Sequence, residues 1–470
     1  MKVTLAGFNV DAAILDETRR RFGEAVTPEV ISAAYARISR DPRGVAALRQ
    51  DARGAVEKAR KSNERIVFGL GHASVAEHAV VNLDLTGLSR LAVEELERFR
   101  LASYTEKSQR YIRLGRDVVV PSEIADAGLE REFRALVGEL HGAYETAYRS
   151  IAAAGEDPGS AKEDARYLMP LATSTQLGMT VNARELEYVI RRLAGHPLRE
   201  LRELSDKAFK ATKALIPSLI RYAEPGPHYR EMPDAMREIA AMVPRQATKK
   251  EKAGGSVRLV DATPEADKRL AASIIFSARG VSMREAVAAA TRLGEKGRTR
   301  VVLGALKRLE RHDSVWREFE TVQFVFEVVL SASCYAQLKR HRIATLLPQP
   351  YDPGLGLSIP ATFVKARRVA LLRDAARRAE RFYGSHARKL GRAAEYGLLN
   401  AHRRRVLFCL NLRELYHFSR LRSDMAAQWE IRIISDEMCR IAAEAVPSGT
   451  LLLGGKDGFA EKRRSLFPGE

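Results

Sequence analysis

The chain has 470 residues, 46% of them hydrophobic and 29% charged, which is the composition of a soluble globular protein and too much chain for one ordinary core, so two domains are expected. No stretch approaches the roughly 20 apolar residues that span a bilayer, the opening Met1 to Asp11 lacks the apolar run of a signal peptide, and Cys334, Cys409 and Cys439 are scattered without a CxxC pair, so a cytoplasmic protein with reduced thiols is expected and a disulfide framework is excluded. Lys+Arg of 78 against Asp+Glu of 59 gives +19, a surplus that attracts polyanions, nucleic acid and phosphate-bearing ligands alike.

Val3 to Val10 reads as a short strand and turn before a helix. Gly71-His72-Ala-Ser74-Val-Ala-Glu77-His78 follows, then an alternating apolar segment from Val80 to Leu85 that predicts a strand. An Arg-rich stretch runs Arg98-Phe-Arg-Leu-Ala-Ser103-Tyr-Thr-Glu106-Lys-Ser108-Gln-Arg110-Tyr111, and Asn182-Ala-Arg184-Glu-Leu186 later opens an amphipathic helix. Ala247 to Ser256, polar with paired glycines, reads as a linker.

The same landmarks then return in the same order. Val257 to Pro264 repeats the opening, Arg311-His312-Asp-Ser314 to Phe319 echoes the Gly71 segment, and Val322 to Val329 predicts the matching strand. Arg340-His341-Arg342-Ile-Ala-Thr345 leads to Asp352-Pro353, and Asn411-Leu-Arg413-Glu-Leu415 opens the matching helix. A constant order at an offset of about 230–240 residues points to a duplicated domain rather than a short-period solenoid. The expected organisation is residues 1–246, a linker at 247–256, and 257–470, the copies packing about a pseudo-two-fold as a covalent dimer would. Basic stretches such as Lys365 to Arg381 and His402 to Arg405 read as helix-like, solvated faces.

Several residues could carry chemistry. Glu106, Ser108 and Arg110 stand at alternate positions, so in an extended or turning segment their side chains share one side and suit a ligand with a phosphate and hydrogen-bonding edges. The bland alternative is a surface salt bridge between Glu106 and Arg110. Arg340-His341-Arg342 offers guanidinium forks matched to phosphate oxygens, although such a triplet is often plain surface charge. Asn411, Leu415, Phe418 and Arg422 fall near helical spacing, beside an apolar stripe. There is no GxSxG elbow, Cys–His pair, HExxH, GxxxxGK[ST] or GxGxxG, so any chemistry leans on a cofactor and no metal is expected.

Together these elements resemble the flavin-dependent thymidylate synthase family (ThyX), whose signature runs RHRxxSxNExSxRY. That signature is preceded by GHxSxxEH and followed by ARxxLP and an NLRxLxHFxxLRxxxxAQxEIR helix. The first copy supplies His72, Ser74, Glu77 and His78, then Arg98, Arg100, Ser103, Glu106, Ser108, Arg110 and Tyr111, with Arg166 in Ala165 to Pro170. The second supplies Gln337-Leu-Lys-Arg340-His341-Arg342 and the Asn411 to Arg432 helix. The resemblance implies an α+β fold in each half, a small twisted sheet flanked by long helices. It implies conversion of dUMP to dTMP, with FAD as cofactor and NADPH and methylenetetrahydrofolate as co-substrates. It also implies a homodimer of such chains imitating the family's tetramer.

In the family, one subunit grips the uridylate with Glu, Ser and Arg of the signature and the Arg of ARxxLP. Its neighbour contributes the Gln and first Arg, and the Arg closing LxxLR, which polarises the uracil. The first copy keeps Glu106, Ser108, Arg110 and Arg166 but has Glu95 for the Gln, Phe99 for the central His and Leu193 for the closing Arg. The second keeps Gln337, Arg340, His341, Arg342, His417 and Arg422 but has Pro348, Pro350, Asp352 and Glu395 where Glu, Ser, Arg and the ARxxLP Arg belong. Each copy retains one side of the interface. The resemblance therefore implies one composite dUMP site of Glu106, Ser108, Arg110, Arg166, Gln337 and Arg340, with Arg422 as the catalytic residue. FAD would be held by Arg340, His341, Arg342, Asn411, Arg413 and His417, with Ser74 and Arg98. The competing readings are a flavin- or nucleotide-binding pseudoenzyme and a nucleic-acid-binding protein. The latter lacks a helix-turn-helix or an RRM signature.

Overall fold

Alternation of apolar and polar residues is strongest in the second half, and there it builds the larger sheet. The computed structural model describes residues 9–23, 26–38, 41–221, 224–243 and 256–468. Strands β1 (Val80–Ser89), β2 (Ala102–Glu106) and β3 (Ser174–Asn182) form one sheet in the order β1-β3-β2. Strand β2 runs antiparallel to β3, with Ala102 opposite Val181 and Glu106 opposite Leu177. Strands β4 (Val257–Ala262), β5 (Gln323–Ser331), β6 (Thr345–Pro348) and β7 (Arg403–Asn411) form an antiparallel sheet in the order β4-β5-β7-β6. Phe324, Phe326, Val328 and Leu330 of β5 and Val406, Phe408 and Leu410 of β7 turn inward, the two-residue period of a half-buried strand.

The expected strands at Val80 and Val322 are present and run on to Ser89 and Ser331. Most of the opening strand (Val3 to Phe8) and of the linker (Ala247 to Gly255) lies outside the described residues. One basic stretch is corrected. His402 to Arg405 is not a helical face: Arg403–Arg405 lie in β7, where every second side chain must face the core, and Arg404 is 1% exposed. The Lys365 to Arg381 stretch is helical, ending the Ala361–Lys365 helix and filling much of the Val369–Leu390 helix.

The chain divides into two compact units that do not follow the duplication. One takes Met1–Leu88, Leu101–Lys107 and Thr175–Arg245; the other takes Ser89–Arg100, Ser108–Ser174 and Gln246–Glu470. In the first, the Glu29–Arg37, Val45–Gly54 and Val56–Glu64 helices close on Val30, Ala33, Ala34, Leu48, Ala52 and Ala59. Its buried Glu29 carboxylate accepts from the Ser218 N–H (2.8 Å) and hydroxyl (2.6 Å) and from Arg60 (2.8 Å), so the charge is satisfied.

In the second unit, segments of both copies run side by side. The Leu171 N–H donates to the Leu398 carbonyl and the Asn400 N–H to that of Met169, both at 2.8 Å; Ala172 donates to Tyr396 (3.0 Å) and Ala401 to Tyr167 (3.1 Å). Pro170 and Leu399 face each other at the centre of these reciprocal bonds. The Glu130–Ala153 and Val369–Leu390 helices also meet, through the Phe133 and Phe382 rings (5.5 Å between centroids) and a Glu139–Arg378 ion pair (2.7 Å). Among the described residues no helix is long and apolar enough to cross a membrane.

Candidate functional site

Asn411 ends β7 and caps the Leu412–Arg422 helix by accepting the Glu414 N–H (2.8 Å). That start fixes the far end, where Arg422 is half-buried. Its Nε donates to His341 Nε2 (2.9 Å), and its Nη atoms donate to the Gln337 side-chain and backbone oxygens, both at 3.1 Å. None of these partners is an anion. A guanidinium can only donate, so His341 Nε2 accepts, and the ring proton sits on Nδ1, 3.3 Å from Glu414 Oε1. Burial, with Arg422 and His417 nearby, holds the His341 pKa well below the usual imidazole value, so the ring is neutral.

Residues of the first copy stand beside this group in the same unit. Arg110 pairs with Glu163 (2.6 Å) and donates to the Ala426 carbonyl (3.0 Å), a few residues past Arg422. Ser108 Oγ accepts the Arg110 N–H (3.1 Å), closing a turn after β2. Arg166, 3% exposed, donates from Nε to the Glu163 carbonyl (3.0 Å), and its Nη2 is buried without a hydrogen-bond partner. Arg340 is exposed; its carbonyl accepts the Arg342 N–H (3.1 Å), and its side chain makes no hydrogen bond or ion pair among the described residues.

Two of these cations, Arg422 and Arg166, are depressed. Burial, then Arg340 and Arg110, lower the Arg422 pKa to about 10. Burial likewise lowers Arg166, with Arg110 adding to it and Glu163 opposing. The buried Cys334 thiol is raised well above its ordinary value by burial and Glu430, while Arg422 and Arg166 pull it back. Guanidiniums from both copies thus converge with less negative charge than they would hold, and an anion entering there gains charge-assisted bonds.

The positions that correspond to these in the opposite copy are filled. Glu95, at the place of Gln337, and Glu395, at the place of Arg166, are joined through Arg392 (3.0 and 3.1 Å). Next to Glu95, the buried Glu94 accepts from Arg404 (2.9 Å) and from the Tyr351 hydroxyl (2.9 Å), and the Arg404 guanidinium lies 4.3 Å from the Tyr351 ring centroid and 4.9 Å from that of Tyr335. Here the guanidiniums are raised rather than lowered: burial opposes, but Glu395 and Glu95 outweigh it at Arg392, as Tyr351 and Glu94 do at Arg404. Lys339 and Arg90 are the exceptions: burial pulls Lys339 down to about 8 against the attraction of Glu97 (3.0 Å), and lowers the buried Arg90 against Glu94 and Glu97. Asp352 turns to the Gly354 N–H (2.8 Å).

The remaining expected residues divide by environment. Arg342 is exposed and donates to the Arg100 carbonyl (3.4 Å), and His417 is exposed, its ring 5.7 Å from that of His341. Arg413 is tied to the Val315 carbonyl and Glu320 (both 3.0 Å), and Arg98 to Glu95 (2.7 Å). Glu106 and Ser74 belong to the first unit, where Glu106 accepts from Thr175 (3.3 Å) and Ser74 is exposed on a short 3-10 helix. His341, Glu414 and His417 place ligand-type atoms within 4.8 Å of one another. A cation on His341 Nδ1 would force the ring proton onto Nε2 against Arg422, so this arrangement serves Arg422 instead. Sequence reasoning missed Glu414 and Glu163. The helix spacing that placed Glu414 one residue from Arg413 was the available signal for the first, and nothing local signals the second.

The architecture is that of a tandemly duplicated α+β protein. The family described as "Thymidylate synthase complementing protein" matches residues 24–218 and again 258–448. The chain belongs to that family and carries its unit twice. Over 420 residues it is 27% identical to a UPF0159 protein of Chlamydia pneumoniae, covering 82% of this chain and 78% of the relative. Over 477 residues it is 24% identical to a UPF0159 protein of Thermoplasma acidophilum, covering 88% and 92%. Neither name states an activity. A flavin-dependent thymidylate synthase of Geobacter sulfurreducens is 34% identical over 164 residues, 34% of this chain and 68% of that enzyme.

Proposed function

We propose that this chain is a flavin-dependent thymidylate synthase that methylates dUMP reductively at one composite site, with methylenetetrahydrofolate and NADPH as co-substrates. The reading takes the two copies to pack as the subunits of a dimer would, and chains to pair into a four-copy assembly. The observation that carries it is the under-compensated cluster of Arg110, Arg166, Arg340 and Arg422, in which Arg166 Nη2 is buried without a partner.

In this reading Arg110, Arg166 and Ser108 hold the nucleotide phosphate, and Arg166 Nη2 gains the acceptor it lacks. Arg422, held by Gln337 and by the Nδ1–H tautomer of His341, presents fixed positive charge to the uracil N3–O2 edge as electrons accumulate there. The residues fit FAD in part: the exposed Arg340, Arg342 and His417 would hold it, whereas Asn411 caps the helix, His341 holds Arg422, and Arg413 is tied to Val315 and Glu320. FAD, when bound and reduced by NADPH, supplies the hydride.

The test is growth of a thymidine-requiring bacterium on this gene, together with calorimetric titration of the purified chain with dUMP. Growth and one dUMP per chain are expected. One dUMP without growth favours a nucleotide-binding pseudoenzyme, and two per chain removes the composite site.

A further inference from the structure

In a two-fold dimer of identical subunits, a residue on the axis meets its own copy, so a charged residue there meets a like charge. A tandem duplication keeps the geometry but lets the two residues differ. Direct contacts between equivalent positions therefore mark the pseudo-axis and show how each was rewritten.

Four such contacts lie within the second unit; one runs from the exposed Arg342 side chain to the Arg100 carbonyl (3.4 Å) and so joins equivalent arginines through a backbone oxygen. Pro170 faces Leu399 between the reciprocal backbone bonds described above, and both are uncharged. Glu97 follows Glu95-Leu96 as Lys339 follows Gln337-Leu338, so the two are equivalent; they form an ion pair at 3.0 Å with side chains 5% and 1% exposed. Counted from the prolines that precede the short Ser122–Asp126 and Ala361–Lys365 helices (Pro121 and Pro360), Glu139 and Arg378 are also equivalent. They pair at 2.7 Å on the surface between the long helices. The two self-contacts made side chain to side chain between charged groups are acidic in the first copy and basic in the second, whereas Arg100 and Arg342, which meet through a backbone carbonyl, keep the same charge.

We propose that these charge-reversed positions select the pairing of the copies, so that the first copy accepts the second and rejects another first. A pairing of like copies would bury Glu97 against Glu97, or Lys339 against Lys339, and repeat the clash at Glu139 or Arg378. A buried like-charge pair is strongly unfavourable, whereas the ion pair roughly offsets its own desolvation, so the contact selects more than it stabilises. The consequence for the chain is closure: a first copy that captured another chain's first copy would leave both second copies open to recruit further chains. The inference rests on the proposed packing of the copies, not on the proposed activity, so a chain that makes no dTMP tests it equally well.

The test uses full-length chains. Glu97→Lys and Lys339→Glu, made singly, are expected to lower Tm by about 5–15 °C, and the two together to restore it to within about 3 °C of the parent. Glu97→Met with Lys339→Met removes the selection while keeping apolar volume. After refolding from denaturant it is expected to give a mixture of assembly sizes by light scattering, where the parent gives one, and adding Glu139→Gln with Arg378→Gln widens the mixture. A charge swap no better than the single changes overturns the contact, and a neutral double variant that refolds to the parent's single species overturns the selection.

Discussion

Two regions of one unit, built from equivalent positions of two copies, have opposite electrostatics. Around Arg422, guanidiniums crowd together with Glu163 as the one carboxylate paired to them among the described residues, and burial lowers the pKa values of Arg422 and Arg166. Around Glu94, carboxylates and a phenol surround Arg404 and Arg392, whose pKa values rise despite burial. A buried cation with its counter-charge supplied by the protein belongs to the core; one without it waits for a ligand. The difference between the two takes few residues, since Glu395 stands where the other copy has Arg166 and Glu95 where it has Gln337, and both are paired through Arg392.

The comparison breaks first where it is most buried. Glu94→Ala leaves Arg404 enclosed without its carboxylate, and a loss of about 3–5 kcal/mol in denaturant unfolding is expected; a loss below 1 kcal/mol would mean the filled side is not held by this network. Arg422→Ala should reduce dTMP formation about 10²–10³-fold without unfolding the chain. Full activity there, together with an inactive variant in which Arg192, the arginine next to Leu193 in the first copy, is changed to Ala, would move the polarising role to the first copy.

Asp164 offers a pH handle on the open side. Burial raises its carboxyl pKa to about 6, with Thr362 donating to Oδ2 (2.7 Å) and Oδ1 left without a partner. Its folded value lies above the unfolded value of 3.8, so the native state binds the proton more tightly. Stability should fall by about 2–3 kcal/mol as pH rises from about 4 to about 6 and then level off, and Asp164→Asn should flatten that slope. The smallest effect is expected at Arg166→Met: dUMP affinity falls about 10–100-fold, the worth of a charge-assisted bond, while Tm moves little, because the side chain loses only its Nε bond to the Glu163 carbonyl and Nη2 had no partner. A large fall in Tm with unchanged affinity would place Arg166 in the core instead.

What the sequence revealed is what local spacing encodes. The alternation of β5, the Asn182 and Asn411 caps on their helices, and the order of motifs all lie within a few residues of one another. The division of Gln337, Arg340 and Arg422 from Arg110 and Arg166 was legible because two copies could be compared position by position. The filled region was not. Tyr351 and Arg404 reach Glu94 across 257 and 310 residues of chain, and an arginine inside a basic run looks like surface charge until a strand turns it inward. The resemblance implies His341 as a flavin contact; its burial, and the single tautomer that Arg422 leaves it, depend on tertiary packing and show only in the structure.

The reciprocal bonds between 167–172 and 396–401 have a consequence for inheritance. When one gene encodes both partners of a symmetric pair, every substitution lands in both sites at once, and an arginine needed in one cannot become glutamate in the other. With both partners written into one chain, each codon serves a single side. Under the proposed packing and composite site, Glu395 could then arise without harming Arg166, one of two equal sites giving way to a more firmly built interior.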